Sequence, residues 1–175
     1  MKQRNILIAG AGSAGTMMAN HLKRKLNHHE WKITIVDEAT THYYQPGFLF
    51  LPFGIYDEHE IQKPITKYIP DDVDFINTAI DKIEPERNVL TLINGAELPY
   101  DILIIASGCS IAPEETPGMK DKLWYKDIFD FYSFDGAKAL HDKLKNWEGG
   151  KLVVHITEMP IKCPVAPLEF AFLAD

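Results

Sequence analysis

The chain has 175 residues, 46% of them hydrophobic and 25% charged, which is the profile of an ordinary globular protein with material for one domain and part of another. Its net charge of −7 argues against a nucleic-acid partner, since binding a phosphate backbone needs clustered Lys and Arg over a surface. No apolar run reaches the roughly 18 residues that would span a bilayer, and no secretory leader precedes the first strand, so a cytoplasmic location is expected.

Residues 5–9, Asn-Ile-Leu-Ile-Ala, predict a buried strand. It runs into Gly10-Ala11-Gly12-Ser13-Ala14-Gly15 and then into a helix with Met17, Met18, Leu22 and Leu26 at helical spacing. Each glycine meets a separate need when a dinucleotide is held. Gly10 makes the tight turn, Gly12 lets backbone approach a pyrophosphate, and Gly15 lets helix and strand pack closely. The pyrophosphate then rests at the helix N-terminus, where unbonded N–H groups and the dipole favour an anion. Lys23, Arg24 and Lys25 near the other end read as a solvated face that complements the same dipole. A second strand at 32–36 ends in Asp37, about 20 residues past the turn, where a carboxylate takes a ribose 2′-hydroxyl and repels a 2′-phosphate. NADP is thereby disfavoured.

Residues 40–72 read as a long irregular segment, aromatic around His42-Tyr43-Tyr44-Gln45-Pro46-Gly47, and such stretches tend to be functional. Residues 74–98 carry several short strand signals, beginning with Phe75-Ile76, and the hairpin signal Asn94-Gly95. They are read together as an antiparallel meander. The apolar run 102–105 returns to the main sheet and ends in Ala106-Ser107-Gly108, and its unbroken hydrophobicity suits a sheet covered on both faces. A helix is predicted over about 133–147, a strand over 151–156, and a last helix from about 168. A strand and a helix cannot bury their faces unaided, so the sequence is expected to be the N-terminal portion of a longer protein. Cys109 and Cys163 form neither a CxxC pair nor a disulfide framework, and the seven histidines show no metal-ligand spacing, so no metal is expected. Cys163, beside Lys162 and just before a helix N-terminus, has surroundings that favour thiolate; nothing charged adjoins Cys109.

Four segments together resemble the two-dinucleotide-domain flavoprotein oxidoreductases, and within them the sulfide:quinone oxidoreductase family. They are the Gly10 to Gly15 turn with Asp37, the His42 to Gly47 segment, Ala106-Ser107-Gly108, and Ile161-Lys162-Cys163-Pro164-Val165-Ala166-Pro167 preceded by Phe131-Tyr132-Ser133. The resemblance implies an α/β fold: a Rossmann-like FAD-binding domain over residues 1–110, with the meander inserted at about 74–99. At 111–175 it implies the start of a second dinucleotide-type domain carrying a redox cysteine. It implies FAD contacts from Gly10, Gly12, Ser13, Ala14 and Gly15, and from Asp37 and Glu38. Further contacts would come from Gln45 and Pro46 along the flavin ring, from Ala79 and Ile80, and from Ala106, Ser107 and Gly108, where the family usually has Ala-Thr-Gly. No cysteine lies between Cys109 and Cys163, where some members link the flavin, so noncovalent FAD is implied.

The resemblance further implies that HS⁻ is oxidised at a pair of cysteines, Cys163 and one beyond Asp175, through a thiol–flavin adduct. Electrons would reach a membrane quinone, and persulfide or polysulfide sulfur would be left. The quinone pocket and a peripheral membrane-docking surface are likewise expected beyond Asp175, and a homo-oligomer stays open. NADH-dependent relatives have a second glycine turn after the strand equivalent to 151–156, whereas no glycine follows Gly150 here. That weighs against a type II NADH:quinone dehydrogenase. A sulfide dehydrogenase flavoprotein subunit would carry an export signal and a flavin-linking cysteine within 43–55, both lacking. A noncatalytic flavin-binding module is the remaining alternative.

Overall fold

A computed structural model describes residues 3–175. Their contacts divide the chain into two units, one containing the residues up to Tyr43 with Gln62–Cys109, the other Tyr44–Ile61 with Ser110–Asp175.

In the first unit, β1 (Arg4–Ala9), α1 (Ser13–Lys25) and β2 (Trp31–Asp37) follow one another, and β1 pairs in parallel with β2, Ile8 opposite Ile35. The alternation along β1 explains its unbroken apolar run. Ile6 and Ile8 join a core with Ala11, Ala19, Ile33 and Ile35, while Leu7 and Ala9 face Val36, Leu90 and Leu92 on the other side. The buried stripe of α1 is made of the small residues Gly15, Thr16 and Ala19. Met17, expected on the apolar face, is 71% exposed, and Met18 is also exposed. Close approach of the first turns of the helix to the sheet leaves room there only for short side chains, so Met17 and Met18 turn outward while Leu22 packs on the core further along.

Two three-residue strands, β3 (Thr41–Tyr43) and β4 (Gln62–Pro64), pair antiparallel, and a short 3₁₀ turn follows at Ile65–Tyr68. The stretch expected to be irregular is thus ordered by pieces too short to show a period. A correction concerns β5 (Asp74–Asn77), which is not part of the meander: it adds to the parallel sheet beside β2, Ile35 opposite Phe75. Phe75 packs on the α1 side and Ile76 on the other, so both faces of this strand are apolar, as a parallel strand requires. The meander proper is β6 (Ile80–Glu84), β7 (Val89–Leu92) and β8 (Glu97–Pro99), turning at Asn88 (φ 51°) and Gly95 (φ 83°). Then β9 (Ile102–Ile105) pairs in parallel with β1, giving the sheet order β5-β2-β1-β9. The α/β class with a parallel sheet and an inserted antiparallel meander is as expected.

The second unit is built on aromatic packing. Helical turns at Gln45–Leu49 and Leu51–Phe53, α2 (Phe134–Lys145) and α3 (Ala166–Ala174) surround a core of Leu49, Leu140 and Phe170, with Phe50, Phe53, Phe129 and Phe131 at its margin. Ser133 caps α2, its Oγ accepting the Gly136 N–H at 3.1 Å. The strand expected at 151–156 is not formed. A parallel strand exists only as a rung of a ladder, and among the described residues no strand pairs with this stretch.

Candidate functional site

The glycine turn is shaped by close contacts of backbone with backbone. Gly10 has φ 104°, donates its N–H to the Val36 carbonyl at 2.8 Å, and lies so near the Ala106-Ser107 backbone that a Cβ would come within 2.6 Å of the Ala106 carbonyl carbon. Two motifs far apart in sequence, the turn and Ala106-Ser107-Gly108, therefore meet. A Cβ on Gly15 would lie 2.9 Å from the Gly10 carbonyl carbon and 3.4 Å from Ile8, so that glycine sets the packing of α1 on β1. A Cβ on Gly12 would meet nothing within 4 Å.

The start of α1 is open. Gly12 is its N-cap, no side chain caps it and no acid stands in its first turn, so its leading N–H groups and the dipole face an exposed Gly12-Ser13-Ala14 surface. These features fit a pyrophosphate: a bare anion-binding helix end beside a backbone that carries no side chain.

Asp37 at the end of β2 fastens the turn. Its Oδ2 accepts the Ala11 N–H at 2.6 Å and its Oδ1 accepts the Ala39 N–H at 2.8 Å. A carboxylate has about four acceptor sites, so capacity for a ribose hydroxyl is left after these two bonds. Asn77, at the end of β5, escaped the sequence reading. Its amide donates to the carbonyls of Asp37, Glu38 and Ala39 at 2.9, 3.0 and 3.0 Å and so holds the loop after β2. Only its place at a strand end could have signalled it. Glu38 is exposed on that loop. Ala79 is tied to the meander by Ile93 N–H donating to its carbonyl at 3.1 Å, and Ile80 opens β6 opposite Leu92.

Gln45, Pro46 and Cys163 lie in the second unit. Pro46 is in the first turn of the Gln45–Leu49 helical segment, and the Gln45 Oε1 accepts a hydrogen bond from Lys162 Nζ, next to Cys163. Cys163 is an exposed free thiol in the left-handed region, φ 51°, three residues before α3. Its carbonyl accepts the Ala166 N–H at 3.1 Å and the Tyr132 hydroxyl at 3.2 Å. Burial first, and then the charge of Cys163, push the Tyr132 phenol above its usual range. Tyr132 was part of a resembling segment but had no role read from it. Cys109 is an exposed free thiol of the first unit.

Residues 4–155 match the model of the family described as pyridine nucleotide-disulphide oxidoreductase. The chain belongs to that family. Within it, the chain is similar to the mitochondrial sulfide:quinone oxidoreductase of Dictyostelium discoideum, 26% identical over 171 residues, covering 97% of this chain and 38% of that protein. It is similar also to the type II NADH:quinone oxidoreductase of Staphylococcus haemolyticus, 27% identical over 154 residues, covering 85% of this chain and 37% of that protein. Among solved structures, the sulfide:quinone oxidoreductase of Aquifex aeolicus superposes with a TM-score of 0.65 at 22% identity over 81% of this chain and 32% of that one, which shows a shared fold. The chain spans less than two fifths of the length of these curated relatives. As a member of this family of flavoprotein oxidoreductases it has FAD as its cofactor, and the uncapped α1 N-terminus, the glycine backbone and Asp37 suit the dinucleotide.

Proposed function

We propose that this chain supplies the FAD-binding domain, residues 1–110, and the sulfur-reactive cysteine of an enzyme that oxidises sulfide and passes the electrons to a quinone. The observation that carries the reading is Cys163. An exposed thiol stands beside Lys162 and ahead of α3, in a stretch where an NADH-binding relative would place its second glycine turn. Similarity to sulfide:quinone oxidoreductase along nearly the whole chain supports it.

Gly10, Gly12 and Gly15 with Ser13, Ala14 and Asp37 would seat the dinucleotide, joined by Ala106, Ser107 and Gly108. Glu38, Gln45, Pro46, Ala79 and Ile80 complete the proposed contacts. When bound, FAD supplies an acceptor that takes an electron pair and can release electrons singly, which suits a quinone. Cys163 would form a disulfide with a second cysteine outside these 175 residues. HS⁻ attacks one sulfur, the S–S bond breaks, a persulfide forms there, and the other sulfur leaves as a thiolate bearing the electron pair.

No helix among the described residues is long and apolar enough to cross a membrane, and the reading places the enzyme peripherally on the cytoplasmic side, where quinone is reached at the surface. In the full-length FAD-loaded protein, Cys163→Ala is expected to abolish bleaching of the flavin by sulfide in stopped-flow absorbance; bleaching at the wild-type rate would remove Cys163 from the mechanism.

A further inference from the structure

We infer that Tyr132 is a positioning residue for Cys163: its hydroxyl, with the Ala166 N–H, pins the Cys163 carbonyl and so fixes the direction in which the thiol points. The inference rests on the reading of Cys163 as the sulfur-reactive residue. A residue with a side chain adopts φ near 51° only where its surroundings impose it. Here the imposition is visible. A carbonyl oxygen has two lone pairs, and that of Cys163 uses one for Ala166, at 3.1 Å, and one for Tyr132, at 3.2 Å. Pro164 follows, with a fixed φ of its own. Rotation of the Cys163 peptide is thereby opposed from both sides, and its Cβ direction with it.

Tyr132 is well placed to impose this because it is itself held. Its N–H donates to Asp130 Oδ1 at 2.9 Å, and its ring stacks on Phe131 at 5.2 Å. Phe131 in turn lies parallel to Phe170 of α3 at 4.7 Å and 5°. The aromatic stack thus ties the phenol to the same helix whose first turn supplies the Ala166 N–H, so both donors to the carbonyl are carried by one packed group. On the upstream side, Gln45 holds Lys162. Burial first, and then the charge of the nearby Cys163, raise the phenol above its ordinary range.

The test uses the full-length FAD-loaded protein with tyrosine rings carbon-labelled for NMR, the Tyr132 signal assigned by its loss in Tyr132→Phe. With the protein first reduced by a dithiol so that Cys163 is a free thiol, Cys163→Ala is expected to move the Tyr132 ionisation to lower pH, because the negative charge of the neighbouring thiolate is gone. Tyr132→Phe, which keeps the ring stack and loses only the hydroxyl, is expected to slow sulfide-dependent flavin reduction about tenfold by misdirecting the thiol, with the thermal midpoint retained. An unmoved Tyr132 ionisation or an unchanged reduction rate overturns the inference. The comparison of wild type with Cys163→Ala still decides where Tyr132→Phe folds poorly. If Cys163→Ala itself reduces flavin normally, the reading of Cys163 fails. If it does not and Tyr132→Phe behaves as wild type, the positioning role alone fails.

Discussion

The three glycines of the turn look alike in sequence, yet at the scale of single residues they do different work. Gly10 combines a positive φ with backbone of Ala106 and Ser107 inside 3 Å of any Cβ, so Gly10→Ala must move one strand end against another. Its expected cost is about 2–4 kcal/mol in denaturant unfolding of the FAD-free protein. Gly12 has open space and φ −67°, so Gly12→Ala is expected to leave that stability within about 0.5 kcal/mol. It should nonetheless weaken FAD retention about tenfold or more, since a methyl group then occupies the approach to the pyrophosphate. Equal effects of the two substitutions on apo stability would contradict this division. Asp37 separates a structural from a ligand role in the same way. Asp37→Ala orphans the Ala11 and Ala39 N–H groups, so the FAD-free protein itself should lose about 1–3 kcal/mol. Full apo stability with lost FAD would mean that the carboxylate serves only the ribose.

What the sequence made legible at the scale of elements follows from length and period. β1 and β9 declared themselves by unbroken apolar runs, β2 by its β-branched stretch running into Asp37, and α2 by its spacing between Ser133 and the glycine pair. β5 was assigned to the wrong sheet because four residues with two apolar side chains look the same in a meander and at a parallel edge; only the packing of Phe75 and Ile76 on opposite cores decides. Met17 and Met18 misled for a related reason: periodicity marks a face, and the face that faces the sheet at a dinucleotide turn must be small. The α2 N-terminus shows how a distant contact can reverse a local rule. Gly→Ala inside a helix ordinarily gains up to about 1 kcal/mol. At Gly136, however, a Cβ would press on Asp130, within 2.7 Å of its carbonyl oxygen and closer still to its carboxylate. Asp130 accepts the N–H groups of Tyr132 and Ser133 at 2.9 and 2.7 Å and the hydroxyls of Tyr125 and Ser133 at 3.0 and 3.1 Å. Gly136→Ala is therefore expected to destabilise by more than Ser133→Ala, whose loss of the cap bond to Gly136 and of the hydroxyl bond to Asp130 should cost about 1–2 kcal/mol. A stabilised Gly136→Ala in thermal unfolding would show that Asp130 yields freely.

For the molecule as a whole, the cofactor was legible and the electron donor was less so. The glycine turn, Asp37 and Ala106-Ser107-Gly108 form a local pattern with a physical meaning at each position, and the structure brings them into one unit. The groups around Cys163 have no such pattern, because Gln45, Tyr132 and Ala166 converge on one turn from separate segments. Relatives named for sulfide and for NADH both resemble this chain, so the identity of the donor turns on a local feature. A dinucleotide donor needs a second bare helix end reached through glycine backbone. Residues 151–175 contain no glycine, and α3 begins instead with Ala166-Pro167 behind Val165 and Cys163. Pro167 has no N–H to offer an anion, and Cys163, Pro164 and Val165 ahead of α3 all carry side chains where a glycine turn would present bare backbone. A small nucleophile such as HS⁻ needs none of this, only an exposed sulfur. Accordingly, when the full-length FAD-loaded protein is mixed anaerobically with either donor, sulfide is expected to bleach the flavin rapidly and NADH to leave it oxidised over the same interval. Bleaching by NADH, with sulfide inert, would transfer the protein to the nicotinamide-dependent branch of the family and leave Cys163 without a chemical role.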